Sequence, residues 1–180
     1  MNIEKVLLNH QKYKEASKAD ILVPHEPGIY CFRLRNIEAL PSPYKEYLKI
    51  RKHNLFYIGI ATKNLNRRML NQELRAKGHG TFFRSLGAVL GYRPKRGSLI
   101  HKLNKRNYKF EPEDELRIME WVNDNLLVHW VVHNSDLNDL ETSLIRKYKP
   151  LLNLSKNPLA LAELKAVRSE CVRIANDKVE

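Results

Sequence analysis

The sequence has few cysteines, no long apolar run and almost no acid in its middle third, and each shortage removes a class of protein. Two cysteines, Cys31 and Cys171, stand far apart in a chain of 180 residues. That is too few for a zinc module and gives no disulfide framework, so a reducing cytoplasm is the expected compartment. No apolar stretch approaches the roughly 20 residues of a membrane span. The N-terminal segment scatters charges where a signal peptide would carry an apolar core. No internal repeat or low-complexity tract interrupts the chain, which reads most simply as one domain over 1–180. Between residues 61 and 110 there are 13 Lys and Arg against a single acid, Glu73. The net charge of the whole chain is +12, so this segment carries the entire excess and the flanks cancel. A basic surface this concentrated suits a polyanion, because Lys and Arg contacts to phosphates release condensed counterions.

Periodicity then orders the elements. Residues 2–17 read as a short amphipathic helix with Val6, Leu7 and Tyr13 inward. Two prolines and a glycine in Leu22–Gly28 make an extended entry loop. Gly28–Arg35 alternates as a strand, with Ile29, Cys31 and Arg33 on one side and Tyr30, Phe32 and Leu34 on the other. Residues 36–53 form an excursion before a second strand, Asn54–Ala61. Asn64 caps a helix running to about Lys77, and Thr81 caps another. The stretch from Pro112 opens with proline and acids, as a helix N-terminus should, and sets Leu116, Met119 and Val122 at helical spacing. Leu126–His133 is a third strand. A helix capped at Ser135 and Asp136 and stopped by Pro150 follows, and a last helix spans about 158–175. The expected fold is α/β (α+β): a small antiparallel or mixed three-stranded sheet flanked by helices.

Pairing of the first two strands brings Gly28-Ile29-Tyr30 against Tyr57-Ile58-Gly59, with both tyrosine hydroxyls at one surface patch. This combination resembles the GIY-YIG nuclease superfamily, named for the two tripeptides. Lys63–Arg68 resembles the family's NLxxR segment, and Asp139–Asn153 resembles its glutamate-bearing helix with the Lys-Pro and Asn elements that follow. The resemblance divides the chain into a core over 26–153, with insertions at 36–53 and 78–110, and helical extensions at 1–25 and 154–180. It implies hydrolysis of phosphodiester bonds in DNA, with RNA as the other nucleic acid to test, by one divalent metal, Mg2+ or Mn2+. Glu141 matches the metal-binding glutamate; a carboxylate oxygen is a suitable hard ligand, and substrate phosphate and water complete the shell. Tyr30 and Tyr57 match the family tyrosines. Tyr57 is the first choice for activating water and Tyr30 is its hydrogen-bonding partner, with Arg68 and the metal lowering a hydroxyl pKa that is otherwise too high. Arg68 matches the family arginine when counted from Asn64 and Leu65, whereas counting from Tyr57 gives Arg67; the Asn64 cap favours Arg68. Its planar fork would hold a non-bridging phosphate oxygen. Gly28 and Gly59 would allow close backbone approach, and Asn153 would brace the site.

Some features depart from the family pattern. Gln72 stands where many members have a histidine, leaving His79 and His101 as substitutes in the basic segment. The excursion, with Tyr44, Lys45, Lys49, Arg51 and Lys52, is a candidate DNA contact. Lys63, Arg67, Arg84, Arg93, Lys95 and Arg96 are further candidate phosphate contacts. The lack of a zinc cluster or long C-terminal extension points to a compact nuclease, restriction-type or nonspecific. Restriction members are often dimers, so a homodimer is an expectation. The alternatives are a non-cleaving nucleic-acid-binding module on the same fold and a DNA-repair nuclease.

Overall fold

The computed structural model describes residues 2–78 and 80–178. His79 lies outside the described residues. The sheet is built on β2 (Gly28–Leu34), all seven residues of which are buried. β2 lies between β3 (Leu55–Ala61) and β4 (Leu126–Val132), antiparallel to both. A fourth strand, β1 (Lys14–Glu15), pairs with β4 at Val128 and Leu127, giving the order β1-β4-β2-β3. The expected three strands are therefore four. The expected N-terminal helix over 2–17 is only α1 (Ile3–Leu7), followed by a 3-10 turn and this strand. Local helix propensity yields there to the open edge of β4, whose unpaired backbone groups need partners.

Alternation along β2 follows the sequence reading. Ile29 and Cys31 pack with Leu55, Ile58, Leu144 and Ile145 on one face, while Tyr30, Phe32 and Leu34 pack with Phe56, Tyr57 and Phe82 on the other. Both faces are covered. α5 (Leu137–Tyr148) and α1 cover the first. The second lies under a π-helix (Asn66–Leu74), α3 (Thr81–Val89), α4 (Pro112–Asn125) and α6 (Ala162–Asn176). In α4 the buried seam is Ile118 and Val122, and Leu116 is exposed.

A β-bulge shapes the second face. Phe32 opposes Tyr57 and Arg33 opposes Leu55, so Phe56 has no partner on β2. The extra residue lets Phe56 and Tyr57 point to the same side, which strict alternation forbids. The excursion between β2 and β3 contains α2 (Tyr44–Arg51), and it packs onto the body of the protein. Tyr44 and Leu48 are buried. Arg51 donates to the carbonyls of Lys149, Pro150 and Leu159, and Lys45 and Lys49 pair with Glu38. Most of the side chains expected to reach DNA are engaged within the fold.

The open edge of β3 is closed by residues 151–153. Leu151 and Leu152 donate backbone hydrogen bonds to the carbonyls of Leu55 and Phe56. Asn153 then replaces the backbone with its side chain: Oδ1 accepts from the Ile58 amide at 2.9 Å and Nδ2 donates to the Ile58 carbonyl at 2.8 Å. The buried amide thus locks the segment between Tyr57 and Gly59.

Candidate active site

Tyr30 and Tyr57 are diagonal neighbours on the second face, with ring centroids 6.4 Å apart. Phe32 stacks on Tyr57 at 6.0 Å and Phe82 of α3 closes over it at 5.3 Å. The hydroxyls are not at a surface patch as expected. Tyr30 is fully buried and Tyr57 is 6% exposed. No hydrogen bond joins them; among the described residues the Tyr30 hydroxyl has no partner. The helical layer over this face covers both rings, which pairing of two strands could not foretell.

Gly59 makes room for this arrangement. A Cβ there would lie 2.5 Å from the Tyr30 hydroxyl oxygen, so the ring lies over the glycine that opposes it in register. At Gly28 a Cβ would meet the Val131 carbonyl oxygen at 2.4 Å and the Leu65 side chain at 2.7 Å. Both glycines serve close packing within the protein.

Burial pushes both tyrosine pKa values well above the usual 10.0, and the nearby Glu73 carboxylate adds to the shift. Arg68 pulls in the opposite direction but is outweighed. Arg68 lowers the hydroxyl pKa as expected, and desolvation of the phenolate is the larger influence. Glu141, on α5 at the opposite face of the sheet, also raises both values.

An orphaned hydroxyl in a core costs stability, so Tyr30→Phe should leave the protein as stable or more so, by up to about 1 kcal/mol. Urea denaturation checks this; a loss above ~1 kcal/mol would mean that the hydroxyl has a structural partner. The raised pKa values also carry a sign. Their stabilising effect is complete below pH 10.0 and declines as the pH rises above it, where the unfolded chain releases tyrosine protons that the folded chain retains. Thermal midpoints should therefore fall more steeply above pH 10.0 for the parent than for a Tyr30→Phe/Tyr57→Phe variant. Parallel curves would contradict this.

Arg68 lies beside the tyrosines, and Arg67 is exposed on the outer side of the same helix. The Asn64 cap forms as expected, with Oδ1 accepting from the Arg67 amide at 2.8 Å. The helix it opens is a π-helix, and that winding decides what Arg68 touches. In an α-helix, residues five apart diverge by about 140°. In the wider π turn, whose hydrogen bonds run from i to i+5, they return to nearly the same side. Arg68 therefore reaches Glu73, and the two form an ion pair. Burial pushes the Glu73 carboxyl up, while Arg68 and the amides of Phe83 and Phe82 pull it down. Those amides donate to Glu73 Oε2 at 3.3 and 2.9 Å, so the carboxylate caps the N-terminus of α3. Thr81, expected as that cap, is the first residue of the helix, and Gly80 occupies the cap position. A Cβ on Gly80 would lie 1.9 Å from Glu73 Oε2.

Glu73 is the neighbour of the candidate site that sequence reasoning missed. Its signal was there as the lone acid among 13 bases, fully buried in the fold. Lys156 was missed as well: its ammonium donates to Glu141 Oε2 at 2.6 Å from a loop beyond the matched motifs. Beside Arg68, a cleft is lined by Thr62, Lys63, Asn64, Arg67 and Gln72. His25 stands at Asn64, 3.3 Å between ring Nδ1 and amide Nδ2, while His101 is exposed and lines a separate cleft. Of the other expected cations, Arg93 pairs with Glu170 and Arg96 with Asp177, Lys95 is exposed, and Arg84 lines a second basic cleft.

Among the described residues, no group of three or more His, Cys, Asp or Glu side chains is placed to hold a metal. No helix among them is long and apolar enough to cross a membrane. The metal implied by the motifs would rest on Glu141 alone. That carboxylate already binds a cation, the ammonium of Lys156, which stands in for one. A magnesium ion that keeps several waters and shares a substrate phosphate fits this donor set.

The family model for the GIY-YIG catalytic domain matches residues 28–170. The chain belongs to the GIY-YIG family. The match begins at Gly28 and includes both tyrosine strands, the π-helix with Arg68 and Glu73, Glu141, Asn153 and most of α6. GIY-YIG domains are catalytic domains of nucleases, so the substrate class is nucleic acid. Neither the curated proteins nor the solved structures gave a match.

Proposed function

We propose that the protein is a Mg2+-dependent endonuclease that hydrolyses phosphodiester bonds in DNA. The observation that carries this reading is the match of the GIY-YIG catalytic domain to residues 28–170, over a fold that sets Tyr30 and Tyr57 6.4 Å apart with Arg68 held by the buried Glu73. Arg68 is pre-oriented. One nitrogen is held by Glu73, and the side chain remains partly open to the cleft with Lys63 and Arg67. That leaves guanidinium edge to bind a non-bridging oxygen of the scissile phosphate and to oppose charge that develops during attack. Glu141 would hold the divalent ion, which would supply Lewis-acid polarisation of the phosphate. Tyr57 is protonated at neutral pH, so its hydroxyl orients the attacking water by accepting a hydrogen bond. Water attacks phosphorus and loses a proton to solvent water, a P–O ester bond breaks, and the departing ester oxygen takes a proton from solvent, leaving a phosphate monoester and an alcohol. Asn153 keeps β3 in register beneath these groups.

Both cysteines are free and buried, in keeping with a reducing cytoplasm. The decisive test is a Mg2+ titration on supercoiled plasmid, single-stranded DNA, branched DNA and RNA, with EDTA as the control. Cleavage of DNA that depends on the ion supports the reading. Salt-sensitive binding without cleavage of any substrate would replace it with a binding module. Tyr57→Phe should lower the rate by about 10²-fold while leaving DNA affinity unchanged. Sequencing the ends separates a restriction-type enzyme, with fixed flanking bases, from a nonspecific one.

A further inference from the structure

Arg33, near the end of β2, is a buried cation that no step of the proposed chemistry uses. Only 8% of it is exposed. Neutral groups hold it. Nε donates to the Tyr13 hydroxyl at 2.9 Å, and Nη1 donates to Asn54 Oδ1 at 2.8 Å. The guanidinium carbon lies 5.2 Å from the centre of the Tyr13 ring. The bonds beyond Tyr13 run one way. The Cys31 thiol donates to the Leu7 carbonyl at 3.5 Å, so the Tyr13 hydroxyl is the donor in its 2.8 Å contact with Cys31 Sγ. No carboxylate enters this chain from Arg33 to Leu7. Among the described residues, Arg33 makes no ion pair and its Nη2 makes no hydrogen bond.

Arg33 lines a cleft of about 470 Å³ at the ends of β2 and α5 and the start of β3. His10, Lys52, His53, Asn54 and Tyr148 stand around it, and none of the lining residues is acidic. Lys52 is exposed and, among the described residues, has no ion pair either. Asn54 is spent on the fold, since its Nδ2 donates to the Leu34 carbonyl at 2.7 Å. His53 accepts from the Leu55 amide at 3.2 Å, and burial with the charges of Arg51 and Arg33 holds its pKa below the ordinary value. The His10 ring is 6.3 Å from that of Tyr13. Glu4, which accepts from the Tyr148 hydroxyl, is paired with Lys147.

Burying a guanidinium without an anion is unfavourable, and a bound anion offsets the cost. The cleft narrows the class of that anion. Two cations and no acid favour a doubly charged group, and the planar edge of a guanidinium matches phosphate oxygens. The space is larger than one phosphate and of the size that holds a small organic molecule. The rings of Tyr148, His10 and His53, with Leu55, give it a flat, partly apolar wall on which an aromatic base can lie. We propose that this cleft binds a nucleoside monophosphate, with the phosphate on Arg33 and Lys52 and the base along Tyr148. The nucleotide is either free or the phosphorylated end of a strand. Tyr13 and Cys31 belong to the face of the sheet opposite Tyr30 and Tyr57, so this site is separate from the candidate active site and does not depend on the nuclease reading.

The test is calorimetric titration of the full chain with 5′-AMP, adenosine and inorganic phosphate, in EDTA so that no metal takes part. 5′-AMP should bind more tightly than either fragment. Lys52→Gln, at an exposed position, should weaken 5′-AMP on the order of tenfold, the loss of one charge-assisted contact. Arg33→Gln should abolish binding, with a thermal melt alongside because the residue is buried. Arg67→Gln, in the cleft beside Arg68, should leave 5′-AMP affinity unchanged.

5′-AMP binding no tighter than adenosine would overturn the phosphate contact, and binding no tighter than inorganic phosphate would overturn the place of the base. Full affinity in Lys52→Gln, or its loss in Arg67→Gln, would put the nucleotide elsewhere and overturn the site, as would no binding of 5′-AMP. All four results leave the nuclease reading intact. Short single-stranded DNA with and without a 5′-phosphate, titrated in the Glu141→Gln background, separates the two sources. A gain from the phosphate that Lys52→Gln removes assigns the strand end, and equal affinities with 5′-AMP bound assign the free nucleotide.

Discussion

Glu141→Gln should abolish cleavage and leave the fold and DNA affinity in place. The substitution keeps the shape of the side chain and removes the charge that a divalent ion needs, an effect on the order of 10³-fold in rate. The cost to stability is small by contrast. Glu141 loses only its pair with Lys156, whose side chain is 32% exposed and returns to water when released, so less than about 1 kcal/mol is expected. Three measurements on one variant separate the outcomes: initial rate at saturating Mg2+, anisotropy with labelled duplex, and a thermal melt. A rate near that of the parent would remove Glu141 from the chemistry. A lost rate with a collapsed melt would make it a structural residue.

Glu73→Ala should produce the largest loss of stability at any single charged position in the site, about 3 kcal/mol. The carboxylate is fully buried and accepts from Arg68 and from two amides of α3. Removing it leaves a half-buried guanidinium without its anion and the start of a helix without its cap, two effects of known sign. Glu73→Gln keeps an oxygen for the α3 amides but no charge for Arg68. It should retain more stability than the alanine variant and still lose activity, because the arginine is no longer held. Urea denaturation and kinetics on the same pair of variants check this. If Glu73→Gln matched the parent in rate, orientation of Arg68 by Glu73 would be refuted.

Much of the architecture was legible in one dimension. β2, β3 and β4 appear as short β-branched and aromatic runs, and period-two alternation correctly assigned Tyr30, Phe32 and Leu34 to one face. α4 was marked by Pro112 and three acids in its first turn, and α5 ends just before Pro150. The catalytic candidates were legible because the two tripeptides, the Asn64–Arg68 segment and the Glu141 helix occur in order. Such signals are local: each depends on residue types within one turn or one strand.

Contacts between distant segments were not legible. β1 is two residues long and exists because β4 has an open edge, which no propensity within Lys14–Glu15 encodes. Lys156 meets Glu141 only because the chain turns back past Asn153, and Arg84 meets Arg168 only because α6 lies across α3. The burial of the tyrosines came from the helical layer, and with it a rise in pKa larger than the lowering by Arg68. The sequence alone determined the three principal strands and the capped start of the Arg68 helix, because hydrophobic period and capping act over a few residues. Only the tertiary structure decided that this helix winds as a π-helix. That wider turn sets Arg68 on Glu73, whose carboxylate also accepts from the amides at the start of α3.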